Sequence, residues 1–79
     1  MTGIIVAFSK REDAGKVKSV LVRSGHQVVA VCTTGAAAIS HADGLRDGIV
    51  LCGCRLPDMM FTELAENLPD GFELLLLAS

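Results

Sequence analysis

The chain has 79 residues, of which 51% are hydrophobic and 20% are charged. This length limits it to one small domain with a modest core. A formal net charge of −2 excludes a strongly basic protein that binds nucleic acid through bulk charge. No apolar run approaches the roughly 20 residues of a membrane helix. Residues 1–8 have neither the basic start nor the apolar length of a signal peptide.

Three cysteines, Cys32, Cys52 and Cys54, lie within apolar segments. An odd number of cysteines in such segments is typical of reduced thiols in a cytoplasmic protein rather than of a disulfide framework. The spacing of the last two leaves a zinc site open, with His26 and His41 as further ligands. A single C-x-C with no second ligand pair is a weak metal signature, however. We therefore predict structural thiols, no bound metal and no cofactor.

The first third of the chain predicts a strand followed by a helix. Gly3–Phe8 is a continuous apolar run, typical of a parallel strand covered on both faces. Ser9 and Glu12 fit an S-x-x-E capping box, which predicts a helix from this point to about Ser24, with Gly25 as its C-terminal stop. The side chains predicted to face inward at helical spacing are Ala14, Val17, Val20 and Leu21.

The middle of the chain predicts two further strands with a short helix between them. His26–Cys32 is the second predicted strand. Thr33 or Thr34 can cap a helix over Gly35–Ala42, whose alanines allow close packing on the sheet. Ile49–Gly53 is a short β-branched run followed by a proline loop, which is typical of a buried third strand.

The last part of the chain predicts a helix over Thr62–Leu68, a turn at Pro69-Asp70-Gly71 and a fourth strand over Phe72–Ala78. Strands that alternate with helices predict right-handed crossovers and a parallel sheet. We therefore predict one α/β domain over residues 1–79. It is a three-layer sandwich with three helices and the flavodoxin-like strand order 2-1-3-4, without the fifth strand and last two helices of the complete arrangement.

Three segments of the chain carry a family resemblance at one shared spacing. Leu56-Pro57 follows the third strand, Gly25–Val29 follows the first helix, and Thr34-Gly35 with its alanines opens the second helix. In this arrangement the chain resembles the receiver (CheY-like) domains of response regulators. Their corresponding patterns are strand–Asp–x–x–(Leu/Met)–Pro, Gly-Tyr-x-Val and Asn-Gly-x-x-Ala. The resemblance covers nearly the whole chain and implies the same fold.

The resemblance also implies where a phosphorylation pocket would lie, and that this pocket is degenerate. Receivers need an aspartate nucleophile and a magnesium ion held by an acidic pair. The nucleophile position falls on Gly53, and the acidic pair falls on Phe8 and Ser9. The hydroxyl residue of the family falls on Ala78 or Ser79. We therefore expect a pseudo-receiver that is not an enzyme, has no catalytic residue and takes up no phosphate.

Three further stretches, FSKRED, GCRLPDMM and LPDGFELLLLAS, resemble degenerate receivers that precede the RNA-binding ANTAR module of bacterial antiterminators. This resemblance implies a signalling or interaction domain of a cytoplasmic transcription or antitermination regulator. Such a domain acts through protein contacts and not at a membrane. Binding to RNA would belong to a C-terminal module that this sequence lacks.

The fourth predicted strand is the candidate contact surface. Its leucines require burial on both faces, yet the elements that cover them in complete receivers are absent from the sequence. An open apolar strand edge is a template for pairing with another chain, so we expect self-association through it. The residues of this edge are Phe72, Glu73, Leu74, Leu75, Leu76 and Leu77. For Met59–Phe61, another apolar stretch, we favour packing of the third helix over partner binding.

Three other interpretations stay open. A displaced acid, Asp47 or Asp58, could accept phosphate in place of Gly53. A small molecule could bind at the carboxyl ends of the first and third strands, near Ser9 and Gly53, although the chain has no Gly-x-Gly-x-x-Gly motif. The backbone amides at Gly35 could receive a phosphate at a helix start, although a turn and a cap explain the same residues.

Overall fold

The computed structural model describes residues 3–53 and 55–77. Strands and helices alternate through these residues in the predicted order. The elements are β1 (Ile4–Ala7), α1 (Arg11–Arg23), β2 (Val28–Cys32), α2 (Gly35–Asp43), β3 (Gly48–Cys52), α3 (Phe61–Asn67) and β4 (Phe72–Leu76). The interpretations that involve Cys54, Ala78 and Ser79 lie outside the described residues.

The four strands form one parallel sheet in the order β2-β1-β3-β4. The predicted flavodoxin-like order is therefore confirmed. β1 lies beside β3 at the centre of the sheet, with Ile4 opposite Ile49 and Ala7 opposite Cys52. All four residues of β1 are buried, as its continuous apolar sequence predicts. Because parallel strands share one direction, β1 and β3 end at the same edge of the sheet.

The start of α1 differs from the predicted capping box. The helix begins at Arg11, and its N-cap is Lys10, whose backbone is extended and whose side chain makes no capping hydrogen bond. Ser9 therefore lies one residue outside the cap position, and the S-x-x-E prediction is wrong. The predicted end of the helix is confirmed. Ser24 is the C-cap, and Gly25 follows with φ of +89°, a left-handed conformation that glycine adopts without steric cost.

Helices cover the two faces of the sheet unequally. α2 and α3 pack on one face, here called the two-helix face. Its buried side chains are Ile5, Ala7, Cys32, Ala38, Ala42, Val50, Cys52, Leu56 and Leu64. Among the described helices, α1 alone packs on the opposite face, here called the one-helix face. Its buried side chains are Ile4, Val6, Ala14 and Leu51. The central strands supply both sets because successive side chains of a strand point to opposite faces.

α1 covers only part of the one-helix face. Ala14 is buried, and Val17 and Leu21 are half-buried, as predicted. These three side chains form a stripe at helical spacings of three and four residues. The predicted inward position of Val20 is wrong, because this side chain is 61% exposed. Val20 lies on the flank of the stripe, beside a groove of about 360 Å³ that Leu77 also lines.

Candidate functional site

The carboxyl ends of β1 and β3 hold two positions of the expected pocket. Phe8 and Gly53 are the first residues after these strands. The Gly53 N–H donates to the Ala7 carbonyl at 3.2 Å, and the Phe8 N–H donates to the Cys32 carbonyl at 3.1 Å. These bonds extend the parallel hydrogen-bond pattern beyond the strand ends. The structure therefore brings Phe8 and Gly53 side by side.

The Phe8 ring borders the place that a side chain at position 53 would take. A Cβ built on Gly53 would lie 3.4 Å from Cδ2 and 3.7 Å from Cε2 of the Phe8 ring. The ring is half-buried and packs against the one-helix face. Ser9, the third expected position, is exposed in the bend that leads to α1. Since a phenyl ring offers no oxygen ligand, Phe8 cannot contribute to a magnesium site as a carboxylate would.

A bidentate polar contact lies at the start of α2. Asp58, in the loop between β3 and α3, accepts hydrogen bonds from two backbone amides of this helix. The Gly35 N–H donates to Oδ1 at 2.8 Å, and the Ala36 N–H donates to Oδ2 at 2.9 Å. Thr34 Oγ1 accepts a bond from the Ala37 N–H at 3.1 Å, so the predicted cap by Thr34 is confirmed. The first three amides of α2 therefore have partners, which satisfies most of the open donors of a helix start.

The negative charge of Asp58 is favourable at this place. The hydrogen bonds from Gly35 and Ala36 hold the pKa of the Asp58 carboxyl below its ordinary value of 3.8, because both stabilise the ionised form. The positive end of the α2 dipole acts in the same direction. Both carboxylate oxygens are engaged, which leaves Asp58 poorly placed to accept phosphate. The Gly35 amide, considered above as an anion site, is engaged by this carboxylate.

Packing also holds the loop between β3 and α3 against α2. Leu56 is buried, and its N–H donates to the Met59 carbonyl at 3.0 Å, which closes a tight turn. A Cβ built on Gly35 would lie 2.5 Å from Cγ and Sδ of Met59. The Met59 side chain therefore occupies space that is open only because residue 35 is a glycine. The packing role of Met59 and Phe61 is confirmed, since both pack against the core of the two-helix face. Met60 is exposed.

Asp47 lies at the amino ends of the strands, whereas Phe8 and Gly53 lie at the carboxyl ends. It precedes β3, whereas Gly53 follows β3, and the strand between them has five residues. At about 3.3 Å per residue, the two positions are roughly 20 Å apart. Asp47 borders a shallow depression with Gly71 and Glu73. The structure therefore does not bring Asp47 to the expected pocket.

The two described thiols lie in the sheet. Cys32 and Cys52 are buried and flank Ala7, the Cα partner of each. Two strand spacings of about 4.8 Å place them roughly 10 Å apart, too far for a disulfide between them. Burial raises the pKa of the Cys32 thiol and so favours its neutral form. His26 and His41 are exposed, and within the described ranges no group of three or more His, Cys, Asp or Glu residues could hold a metal.

Sequence reasoning missed the cap that Asp58 makes. The capping carboxylate is 23 positions from Gly35, whereas the capping rules compare residues within one helical turn. One signal was present in the sequence. The first turn of α2 contains no acidic residue, so its positive end lacks a local counter-charge. An acidic residue from another segment can supply that charge, and a Gly at the first helical position leaves room for the segment to approach.

Comparisons of the chain with protein-family models, with curated proteins and with solved structures gave no match. Within the described parts of the chain, the helices are too short or too polar to cross a membrane.

Proposed function

We propose that the chain is a non-catalytic, receiver-like signalling domain that acts through protein contacts. We propose that this domain is part of a cytoplasmic response regulator that controls bacterial transcription or antitermination. The observation that carries the proposal is the position of the Phe8 ring, which lies within contact distance of any side chain at position 53, at the end of the sheet where a receiver has its acidic residues. The strand order β2-β1-β3-β4 supports the proposal, because it brings the carboxyl ends of β1 and β3 together.

The chemistry of receivers explains why this contact matters. Phosphoryl uptake uses one carboxylate as the nucleophile and others to hold magnesium. In this chain the Phe8 ring lies beside position 53, and Ser9 faces solvent. A pocket built from these residues supplies neither the nucleophile nor the ligands. The domain would therefore keep one state without a phosphorylation switch.

The contact of Asp58 with α2 also supports a domain that keeps one conformation without phosphorylation. Its carboxylate holds the loop between β3 and α3 on the helix without any modification. A switch needs a charge that can be added and removed, whereas this charge belongs to the chain itself. A loop held in this way needs no modification to take its place on α2.

Phosphoryl uptake by matched variants tests the proposal. The wild type, Gly53→Asp and the triple variant Phe8→Asp/Ser9→Asp/Gly53→Asp are incubated with acetyl phosphate and magnesium, and the intact mass of each is measured. We expect no gain in the wild type. We also expect none in Gly53→Asp, because the new carboxylate has no metal ligands beside it. Uptake is expected only in the triple variant.

Two results would contradict the proposal in different ways. A stable gain of one phosphoryl group by the wild type would show a working acceptor, which Asp58→Asn and Asp47→Asn would then identify. Efficient phosphorylation of Gly53→Asp alone would show that the pocket is assigned to the wrong residues. Circular dichroism checks that each variant is folded. A side chain at position 53 meets Phe8 only at ordinary contact distance, so Gly53→Asp should be sterically tolerated.

A further inference from the structure

The outer edge of β4 is exposed and apolar. This strand pairs with β3, and no other strand of the described residues lies along its outer side. Leu75, Leu76 and Leu77 are 47%, 42% and 40% exposed. Open strand edges of this kind pair readily with another strand. The surface therefore fits a partner that supplies a β-strand.

The backbone of β4 offers hydrogen-bonding groups along this edge. The Leu77 N–H donates to the Cys52 carbonyl at 2.9 Å, so it points towards β3. Successive residues of a strand direct their N–H and C=O groups to alternate sides. The N–H and C=O groups of Leu74 and Leu76 therefore point outward. An added strand would be bonded through these two residues.

The side chains at this edge lie beside an open groove. The Cα partners of Glu73 and Leu75 in β3 belong to the one-helix face, so these two side chains lie on that face. Leu77, two residues further on, lies on the same side. The groove next to it is lined by Lys16 of α1 and by apolar side chains, among them Val20 of the same helix. An acid thus stands at one end of the exposed edge and a lysine at the other.

We propose that a second copy of the chain occupies this edge, in a two-fold dimer whose β4 strands pair antiparallel with Leu75 at the axis. In this register Leu74 lies opposite Leu76 of the partner subunit, so the outward backbone groups of both residues find partners. A two-fold axis normal to the sheet keeps the two one-helix faces on the same side. The two sheets then form one continuous sheet of twice the width.

The same register brings opposite charges together. Glu73 lies opposite Leu77 of the partner subunit, and Lys16 lines the groove beside Leu77. The partner subunit's Lys16 is therefore within reach of the Glu73 carboxylate, and the axis repeats the pair. A slip of two residues moves Glu73 away from Leu77 of the partner subunit and separates the charges. This complementarity of one patch with itself favours a second copy over a different protein.

This inference deepens the proposed function, because it names the partner of an interaction domain. It depends on β4 and α1, whereas the proposed function depends on Phe8 and Gly53. A dimer that takes up phosphate would contradict only the proposed function. A monomer that takes up none would contradict only the dimer.

The molar mass in solution tests the dimer. Size-exclusion chromatography with light scattering is run on the full chain from low micromolar to near-millimolar concentration. We expect a rise from 8.3 kDa to twice that mass. Leu75→Lys places like charges opposite each other at the axis, and we expect at least an approximately hundredfold loss of affinity. The matched control Val31→Lys makes a similar change at the β2 edge, where Val31 is 39% exposed, and should keep the dimer.

Charge reversal tests the register. Lys16→Glu and Glu73→Lys should each weaken the dimer by about tenfold, because each replaces two ion pairs with two repulsions. The double variant should restore it. Lys18→Glu is the control on the same helix, since Lys18 lines a different groove. Lys16 and Glu73 are exposed, so we expect these charge variants to fold. They test the dimer even if the Leu75→Lys variant does not fold.

Four outcomes would overturn the proposal. One is a monomer at every concentration. The second is a dimer that survives a folded Leu75→Lys variant, and the third is a dimer that is lost on Val31→Lys. The fourth is a double charge reversal that fails to restore the affinity lost in the single variants.

Discussion

The two faces of the sheet differ in how completely they are covered. On the two-helix face, Ile5, Val50 and Leu64 are fully buried. On the one-helix face, Val20 and Leu75 are exposed although both are large and apolar. Leu74 and Leu75 are neighbours in one strand, yet Leu74 packs against the two-helix core. Leu76 is 42% exposed although its Cα partner Cys52 belongs to the two-helix core. The exposure therefore depends on the helices above each face and on the edge position of β4, and not on the strand composition. A continuous apolar run, which correctly predicts burial of both faces in the central strand β1, therefore does not guarantee it in the edge strand β4.

The largest difference in stability between the two faces is expected when a leucine on each face is replaced by alanine. Leu64→Ala leaves a cavity at a side chain with no exposed surface, and we expect the free energy of unfolding to fall by about 3 kcal/mol. Leu75→Ala, at a side chain that is 47% exposed, should cost less than about 1 kcal/mol. Urea unfolding at low micromolar concentration, followed by circular dichroism, measures both. Leu64→Val keeps the comparison measurable if the alanine variant is unfolded.

Equal costs for the two alanine variants would break this comparison. They would show that β4 is covered in solution on the one-helix face as well. A concentration dependence of the Leu75→Ala cost would identify a second copy as the cover.

A smaller effect should separate two glycines, one in a helix on each face. A Cβ at Gly15, in the middle of α1, meets no atom within 4 Å, so Gly15→Ala should stabilise the protein by about 1 kcal/mol. A Cβ at Gly35 would lie 2.5 Å from two atoms of Met59, so Gly35→Ala should destabilise it by about 1 kcal/mol. Thermal unfolding of the two variants gives the sign of each change. Equal stabilisation by both would mean that Met59 does not pack on α2.

The smallest effect is expected at Asp58, because its carboxylate is open to solvent. Its pKa is lower in the folded protein than its ordinary value of 3.8. Its contribution to stability is therefore fully present above that ordinary value, and it is lost as the pH falls through the lower pKa of the folded state. Asp58→Asn should lower the stability at neutral pH and flatten the acid side of the stability curve.

The control for Asp58→Asn is Asp47→Asn, an exposed acid at the other edge of the sheet. Unfolding curves between neutral pH and about pH 2 compare the two variants across the window in which carboxyl groups titrate. An acid limb that is steeper in Asp58→Asn than in the wild type would contradict the contact with α2.

Much of the fold could be predicted because its signals are local. Apolar runs predicted the central strands, Thr34 predicted the start of α2, and Gly25 predicted the end of α1. The order of the strands followed because alternating strands and helices leave few chain paths over a parallel sheet. The juxtaposition of Phe8 and Gly53 followed from that order. The contact of the ring with position 53 could not be predicted, because it depends on the rotamer of Phe8.

Two of the three differences come from dependence on distant parts of the chain, and the third, at Ser9, has no distant contact among the described residues to explain it. Helical spacing placed Val20 with the inward residues, but its exposure depends on how much of the sheet lies beneath α1. The capping box at Ser9 fits the local rule, yet the helix starts one residue later than the box requires. The cap of α2 by Asp58 joins segments 23 positions apart, which no local rule compares.

The central place of β1 also has a consequence for protein synthesis. Of the four described strands β1 is made first, and its partner β3 follows only after α1, β2 and α2. Until Gly48–Cys52 leaves the ribosome, one side of β1 is an open edge of four apolar residues. The fully buried strand β1 therefore has one unpaired edge until β3 is made. Proteolysis of ribosome-stalled chains would detect this delay, with protection of β1 expected only in chains long enough to expose β3.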